Sequence, residues 1–298
     1  MRVLVSGATG LVGTALTAAL RAGEHEVVRL VRTAQGNGPD EVGCDIHAGT
    51  IEQEKLEGIE GVVHLAGEGI SSHRWTEDFK ESIRSSRVDS TRLLADAVCK
   101  LTTPPRVFLC ASAVGYYGSR GDQTLDEDSP PGDDFLASVC VAWEESARQA
   151  ANCGIRVVST RTGVVLSTEG GALGQMLPPF RLGGGGVMGD GEQYMSWIAR
   201  EDMVRALIFI LENDSLSGPV NCVSPAPVTN RVFTRTLGRV LMRPTFVPLP
   251  ASIIKMTFGE MGQALLLASQ RVTPKKLLNA GFEFYYPDLE EALRHELG

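Results

Sequence analysis

Gly7-Ala8-Thr9-Gly10-Leu11-Val12-Gly13 is the first stretch of this chain whose residue types and spacing can do chemistry. It follows a short apolar run, Arg2 to Val5, and leads into Leu11 to Arg21, where apolar residues recur at helical spacing. Strand, glycine turn and helix in that order build an anion cradle. The glycines let the chain turn tightly, let a pyrophosphate approach the backbone and let the helix pack close to the sheet, while the helix N-terminus faces the anion. A helix-capping turn without a ligand is the plainer alternative, but a second strand, Glu26 to Arg32, arrives at the distance expected of a dinucleotide-binding unit.

That second strand also speaks to the cofactor. Sites that prefer NAD end it with Asp or Glu to hold the ribose 2'-hydroxyl. Here it ends in Val31-Arg32, with Arg29 just before. A guanidinium at that place meets a 2'-phosphate bidentately, so the expected cofactor is NADP(H). Asp45, after a weak strand over Glu41 to Cys44, is a candidate for the adenine amino group and equally an ordinary turn aspartate.

The elements that must position these residues alternate. Strands are expected at Gly61 to Ala66, Val107 to Ala111 and Arg156 to Thr160, with a last one at Gly218 to Cys222. Helices are expected at Thr76 to Ser86, Asp89 to Lys100 and Phe135 to Asn152. Continuous apolar strands alternating with helices make an α/β fold, a Rossmann doubly wound parallel sheet covered on both faces. After residue 167 the alternation weakens. A helix at Asp202 to Glu212 with Asp202 as N-cap, then helices at Ala251 to Ser269 and Leu289 to Leu297, suggest a smaller C-terminal α/β substrate domain. The expected division is 1–167 with 200–224 for the dinucleotide-binding domain, and 168–199 with 225–298 for the cap.

Composition narrows the function classes. A chain of 298 residues with 43% hydrophobic and 21% charged residues buries a substantial core. Its net charge of -8 argues against nucleic acid or an anionic membrane as the main partner. No apolar run reaches the length of a membrane span or of an export signal. The six cysteines are scattered without a Cys-x-x-Cys pair and read as buried thiols in a reducing cytoplasm. His47 and His73 lack partners at metal-ligand spacing, so no metal site is expected. His64, inside an apolar strand, reads as a core histidine.

The glycine turn, Val63-His64-Leu65-Ala66-Gly67, Ala111-Ser112-Ala113 and Arg161-Thr162-Gly163-Val164-Val165, in this order, resemble the extended short-chain dehydrogenases. Arg74-Trp75, Ser86-Arg87, Gly115-Tyr116-Tyr117-Gly118, Trp143-Glu144 and Ser196-Trp197-Ile198 narrow the resemblance to the atypical epimerase-family proteins. Pro248-Leu249-Pro250 and Gln270-Arg271-Val272-Thr273-Pro274 are similar to that subgroup's C-terminal domain of undefined function. The resemblance implies cofactor contacts at Gly7, Thr9, Gly10, Leu11, Val12, Arg32, Leu65, Ala66 and Arg87, with Val165 near the nicotinamide. Val31 and Gly67, beside them, join the same set. It also places the helices over 76–100 where extended members pair, leaving monomer and homodimer both open.

The chemistry is less complete. Dehydrogenases of this kind use a tyrosine whose pKa is pulled down by a lysine four residues later. The tyrosines here are followed at that spacing by Arg120, Gly121, Ile198, Leu289 and Glu290, and no lysine occurs from Leu101 to Ile254. The family pattern puts Leu136 and Cys140 at the dyad's two positions. Three readings stay open. Ser112 orients a substrate oxygen while Tyr116 or Tyr117 supplies a proton; Glu68 or Glu144 acts as acid and base; or the protein binds NADP(H) as a redox sensor or interaction protein without catalysis. The first gives an NADP(H)-dependent oxidoreductase or epimerase acting on a small polar, carbonyl or sugar-like, substrate.

Overall fold

The computed structural model describes residues 1–298, and its centre is an eight-stranded sheet. The chain enters through β1 (Arg2–Ser6), α1 (Leu11–Ala22), β2 (Glu26–Val31), β3 (Glu41–Asp45) and the short β4 (Thr50–Ile51). It continues through β5 (Gly61–His64), α2 (Glu77–Cys99), β6 (Val107–Ala113), β7 (Thr124–Leu125), α3 (Phe135–Arg148) and β8 (Arg156–Thr162). The later part holds β9 (Val164–Leu166), α4 (Gly171–Arg181), β10 (Tyr194–Met195), β11 (Trp197–Ala199), α5 (Arg200–Glu212) and β12 (Gly218–Cys222). It closes with β13 (Val228–Thr229), α6 (Asn230–Leu241), α7 (Ala251–Gly262), β14 (Arg271–Val272), α8 (Lys275–Asn279) and α9 (Leu289–Leu297).

Sheet order is β12-β8-β6-β5-β1-β2-β3-β4, parallel throughout except for β4, which runs antiparallel to β3. This is the expected doubly wound α/β architecture. The order reverses between β1 and β5, and that switch opens a crevice at the strands' carboxyl ends. Each face of the sheet carries its own core. Val3, Val5, Leu16 and Leu207 pack with α1 and α5 on one side, and Leu4, Val62, Phe108 and Trp143 pack with α2 and α3 on the other. No helix is long and apolar enough to cross a membrane.

A third cluster joins Leu173, Phe180, Trp197, Phe233 and Leu293 and forms the centre of the smaller C-terminal part. That part is not a cap alone. β14 pairs with β7, and Leu277 and Phe282 enter the main core. Leu277 and Phe282, which the expected division assigns to the cap, thus pack with the sheet.

Three local expectations are corrected. The helices expected over 76–86 and 89–100 are one continuous helix of 23 residues, with the Thr76 side chain accepting from Phe79 N. Asp202 is not an N-cap: it lies inside α5, fully buried, and accepts from the backbone N–H of Tyr285 and Tyr286 at 2.8 Å each. Nor are all six cysteines free. Cys99, ending α2, is disulfide-bonded to Cys153 in the turn after α3, while Cys44, Cys110, Cys140 and Cys222 are buried thiols. The bridge ties two helix ends that only the tertiary fold brings together, and it removes the cysteine argument for a reducing compartment.

Candidate functional site

Gly7 holds φ at +68°, and a Cβ there would stand 3.0 Å from the backbone of Leu65 and Ala66 at the end of β5. A Cβ on Gly13 would lie 2.0 Å from the Gly7 carbonyl oxygen. No side chain fits between this turn and the first turn of α1, which is the close approach the glycine spacing was read to require. Gly10 N–H donates to Gly7 O at 3.0 Å, and the next backbone bond of the helix is Thr14 N–H to Gly10 O. The N–H groups of Leu11, Val12 and Gly13 have no acceptor, so the N-terminus of α1 carries a partial positive charge beside the turn.

The crevice encloses about 420 Å³. Gly7, Thr9, Gly10, Val31, Arg32, Leu65, Ala66 and Gly67 all line it. Leu11 and Val12 open α1 beside the turn and are not in the crevice walls, and the Leu11 side chain lies toward Gly171. At the adenine end Arg29 is committed, its Nη2 donating to Glu41 Oε1 at 2.5 Å, whereas Arg32 is exposed and has no carboxylate partner. The loop from β2 to β3 is braced by Glu52, which accepts from Gly36 N–H and Gly43 N–H and salt-bridges Lys55. Those two backbone bonds hold the Glu52 carboxyl down at about 2.

Two further residues of the expected set, Arg87 and Val165, do not line the crevice. Arg87 donates to the carbonyl oxygens of Ile83 and Glu68 at 3.0 and 2.9 Å and lies over the Trp143 ring. It is a strut under the Gly67–Glu68 loop, and its burial lowers its pKa. Val165 sits in β9, paired with Ile198, outside the lining.

Beneath the turn lies a device that the sequence reading missed. Ser6 Oγ accepts from Leu65 N–H at 3.0 Å and Ala66 N–H at 3.1 Å, which leaves its own proton for His64 Nδ1 at 2.7 Å. The tautomer follows: His64 Nε2 carries the hydrogen and donates to Ser90 Oγ at 3.2 Å, and Ser90 donates to Ser86 O at 2.6 Å. Burial pushes the imidazole down to about 4, so it is neutral at pH 7. The signal was present in the sequence as two polar residues, Ser6 and His64, in otherwise apolar strands.

At the carboxyl end of β6 the hydroxyls are engaged. Ser112 Oγ donates to Glu144 Oε1 at 2.8 Å, and Glu144 is gripped by Arg161 through Nε at 2.8 Å and Nη2 at 2.9 Å. Arg161 lies 3.4 Å from the centroid of the Tyr116 ring, and its Nη1 donates to the Tyr117 hydroxyl at 3.1 Å. Tyr117 is wholly buried, donates to Asn221 Oδ1 at 2.7 Å and is pushed up to about 12 by that burial. Its expected role as a proton donor is corrected: it belongs to the core that joins β6 to β12. Trp197 is buried and donates to Ala226 O.

A second cleft, about 510 Å³, opens between the 119–122 turn, the 189–193 turn and α7, with Asp122, Asp190, Gln193 and Lys255 in its walls.

Comparison with known proteins agrees with this geometry. Residues 3–222 match the model of the NAD dependent epimerase/dehydratase family, and residues 249–296 match a domain of unknown function, DUF1731. The epimerase family protein Mb2239 of Mycobacterium bovis is 45% identical over 291 residues, 98% of this chain and 96% of its own. Among solved structures, human epimerase family protein SDR39U1 (isoform 2), crystallised with NADPH, superposes with a TM-score of 0.89 at 38% identity, over 99% of this chain and 98% of that one. A nucleoside-diphosphate sugar epimerase of Corynebacterium glutamicum gives a TM-score of 0.81 at 39% identity, covering all of this chain and 58% of that one. With a family model spanning the whole Rossmann sheet and relatives matched nearly end to end, the chain belongs to the NAD dependent epimerase/dehydratase family, within its epimerase-family-protein subgroup.

Proposed function

We propose that the chain binds NADP(H) and transfers hydride between it and a small polar substrate, carbonyl-bearing or sugar-like. The observation that carries the cofactor half is Arg32, unpaired at the end of β2 beside a turn whose amides lack acceptors. Leu11, Val12 and Gly13 N–H would hold the pyrophosphate, and Arg32 the 2'-phosphate. The NADPH in the human SDR39U1 structure supports the same choice. When bound, the nicotinamide supplies or accepts the hydride. The chain's own task is then to orient the substrate oxygen and move its proton. Ser112, aligned by Glu144, and Tyr116, on the turn that follows, are the hydroxyls this reading assigns to it. The polar walls of the second cleft suit a small polar substrate.

One observation favours a second reading, a cofactor-binding sensor without turnover. A Cβ on Gly115 would lie 3.4 Å from Leu136 Cβ and 3.9 Å from Cys140 Sγ, so these two side chains occupy the helix face turned toward the loop after β6. Burial pushes the Cys140 thiol up to about 12, so it brings no cation to lower a tyrosine pKa. Titration with NADPH and NADH, then single-turnover oxidation of bound NADPH by a panel of aldehydes, ketones and nucleotide sugars, separates the readings. Gly13→Ala should weaken NADPH by about a hundredfold. Turnover lost in Ser112→Ala and kept in Tyr117→Phe supports the enzyme; tight NADPH with no turnover on any compound supports the sensor. Absence of affinity for either dinucleotide sinks both.

A further inference from the structure

The net charge of the chain hides a segregation. From Gly170 to Gly189 and from Ser215 to Gly259 there is no aspartate or glutamate, while Arg181, Arg231, Arg235, Arg239, Arg243 and Lys255 all fall there. The large exposed apolar side chains follow the same boundary: all but Val141, Leu278 and Tyr285 belong to these two segments. The segments also meet in space. Arg243 Nε donates to Arg181 O at 2.9 Å, Val247 N–H to Gly185 O at 3.3 Å and Leu249 N–H to Val187 O at 2.9 Å. Where the segments meet, around residues 181–187 and 243–249, the surface of the smaller part is both apolar and cationic, in a protein whose remaining residues carry the net negative charge.

We infer that this face seats on an anionic lipid surface. Leu182, Met242, Phe246 and Met256 stand 89%, 84%, 79% and 80% exposed. Side chains that project so fully make few contacts within the fold, and each would need its own pocket on a folded partner. The interfacial zone of a bilayer accepts such tips between headgroups without a fixed register, and lipid phosphates meet the cations around them. Arg231 and Arg239 are paired with Glu192 and Glu290, but Arg181 and Arg235 have no carboxylate partner, and Arg243, though it donates to Arg181 O and Met242 O, has no carboxylate to neutralise it. With no membrane-spanning helix, the association is peripheral and reversible. The mean charge that argued against an anionic membrane describes the whole surface; contact is made by one face, and charges farther than about 10 Å are screened in physiological salt. Because α7 carries Ile253 and Met256 on this face and Ala251 and Lys255 in the wall of the second cleft, lipid contact would fall on the element that bounds the proposed substrate site.

The test is co-sedimentation of the full chain with phosphatidylcholine vesicles, with and without about one-third phosphatidylserine. Binding should be about tenfold stronger with phosphatidylserine and should fall when salt is raised from about 0.1 M to about 0.5 M. Phe246→Ser with Met256→Ser, and separately Arg235→Glu with Arg243→Glu, should each weaken it about tenfold. Val141→Ser, on α3 and outside the face, should change nothing. All these positions are exposed, and an unchanged NADPH affinity and melting temperature verify that the variants fold. Equal sedimentation with both vesicle types, or binding indifferent to both double variants, overturns the inference. Failure to bind either vesicle also overturns it and assigns the face to an acidic protein partner.

Discussion

The turn after β1 and the end of β6 lie at neighbouring places along the same sheet edge, yet their polar groups are in opposite states. Around the glycine turn, backbone N–H groups of α1 have no acceptor and Arg32 has no partner. Around β6, Ser112, Glu144, Arg161, Tyr117 and Asn221 satisfy one another at 2.7 to 3.1 Å in the interior. Buried polar groups left open cost stability unless something completes them. The open donors of the first region are available to a ligand, whereas the closed network of the second ties elements together and fixes the Ser112 hydroxyl on Glu144. Substitutions in the two regions should therefore separate: those in the network should move stability with little effect on cofactor affinity, and those in the cradle the reverse.

The largest effect belongs to the network. Arg161 and Glu144 are 3% and 6% exposed, so removing one partner leaves a charge in the interior with nothing to balance it. Arg161→Ala should lower the unfolding free energy by about 3–5 kcal/mol in urea titration, because the Glu144 carboxylate and the Tyr117 hydroxyl both lose their donor. Replacing the pair together, Arg161→Met with Glu144→Leu, should cost distinctly less than the single change. NADPH affinity in the folded fraction should stay within about twofold of wild type. A large affinity loss at unchanged stability would mean that the network is part of the cradle after all.

His64 joins the two regions' properties in one residue, and pH should expose it. Its folded pKa lies near 4, below the usual 6.5, because the charged form is desolvated. Between those values the unfolded chain binds the proton and the folded one does not, so stability rises with pH across that window and is lost as pH falls through it. The difference is worth up to about 3 kcal/mol. Protonated Nδ1 can no longer accept from Ser6, and Ser6 cannot turn its hydroxyl away without opposing the N–H groups of Leu65 and Ala66. Cofactor affinity should fall in the same window. His64→Asn should flatten both profiles; unchanged slopes would place the acid sensitivity elsewhere.

What could be read from the sequence divides along a similar line. The glycine turn was legible because its requirement is local: Gly7 and Gly13 are demanded by backbone approaching backbone within a few residues. The alternation of strands and helices followed from apolar runs and their spacing, whereas the order of the strands in the sheet came only with the structure. The Arg161 network was not legible, since Glu144 on α3 and Arg161 on β8 meet only through the packing of helix on sheet. The same holds for Asp202, whose carboxylate clasps the backbone of residues 83 and 84 positions away, and for the Cys99–Cys153 bridge. A helix end was expected at Ser86, yet Ser86 Oγ donates to Ile83 O and accepts from Glu68 N–H, so the serine supports the crevice loop without interrupting α2. Arg87 was correctly placed near the crevice and wrongly turned, because nothing in the sequence tells whether a guanidinium faces a ligand or the carbonyls of its own helix.

Arg32 gives the smallest effect and the sharpest one. Unlike Arg29, whose Nη2 is held by Glu41, it has no competing carboxylate, so its loss should leave the fold undisturbed. Arg32→Ala should weaken NADPH by about tenfold, about 1.4 kcal/mol, which is the scale of a charge-assisted pair at an exposed site. NADH has no 2'-phosphate to lose, and its affinity should stay within about twofold. Isothermal titration of both dinucleotides against wild type and variant reads the difference directly. Equal losses for the two would show that Arg32 shapes the loop over residues 33–40 without reading the phosphate, and the preference for NADP(H) would then have to come from another cation.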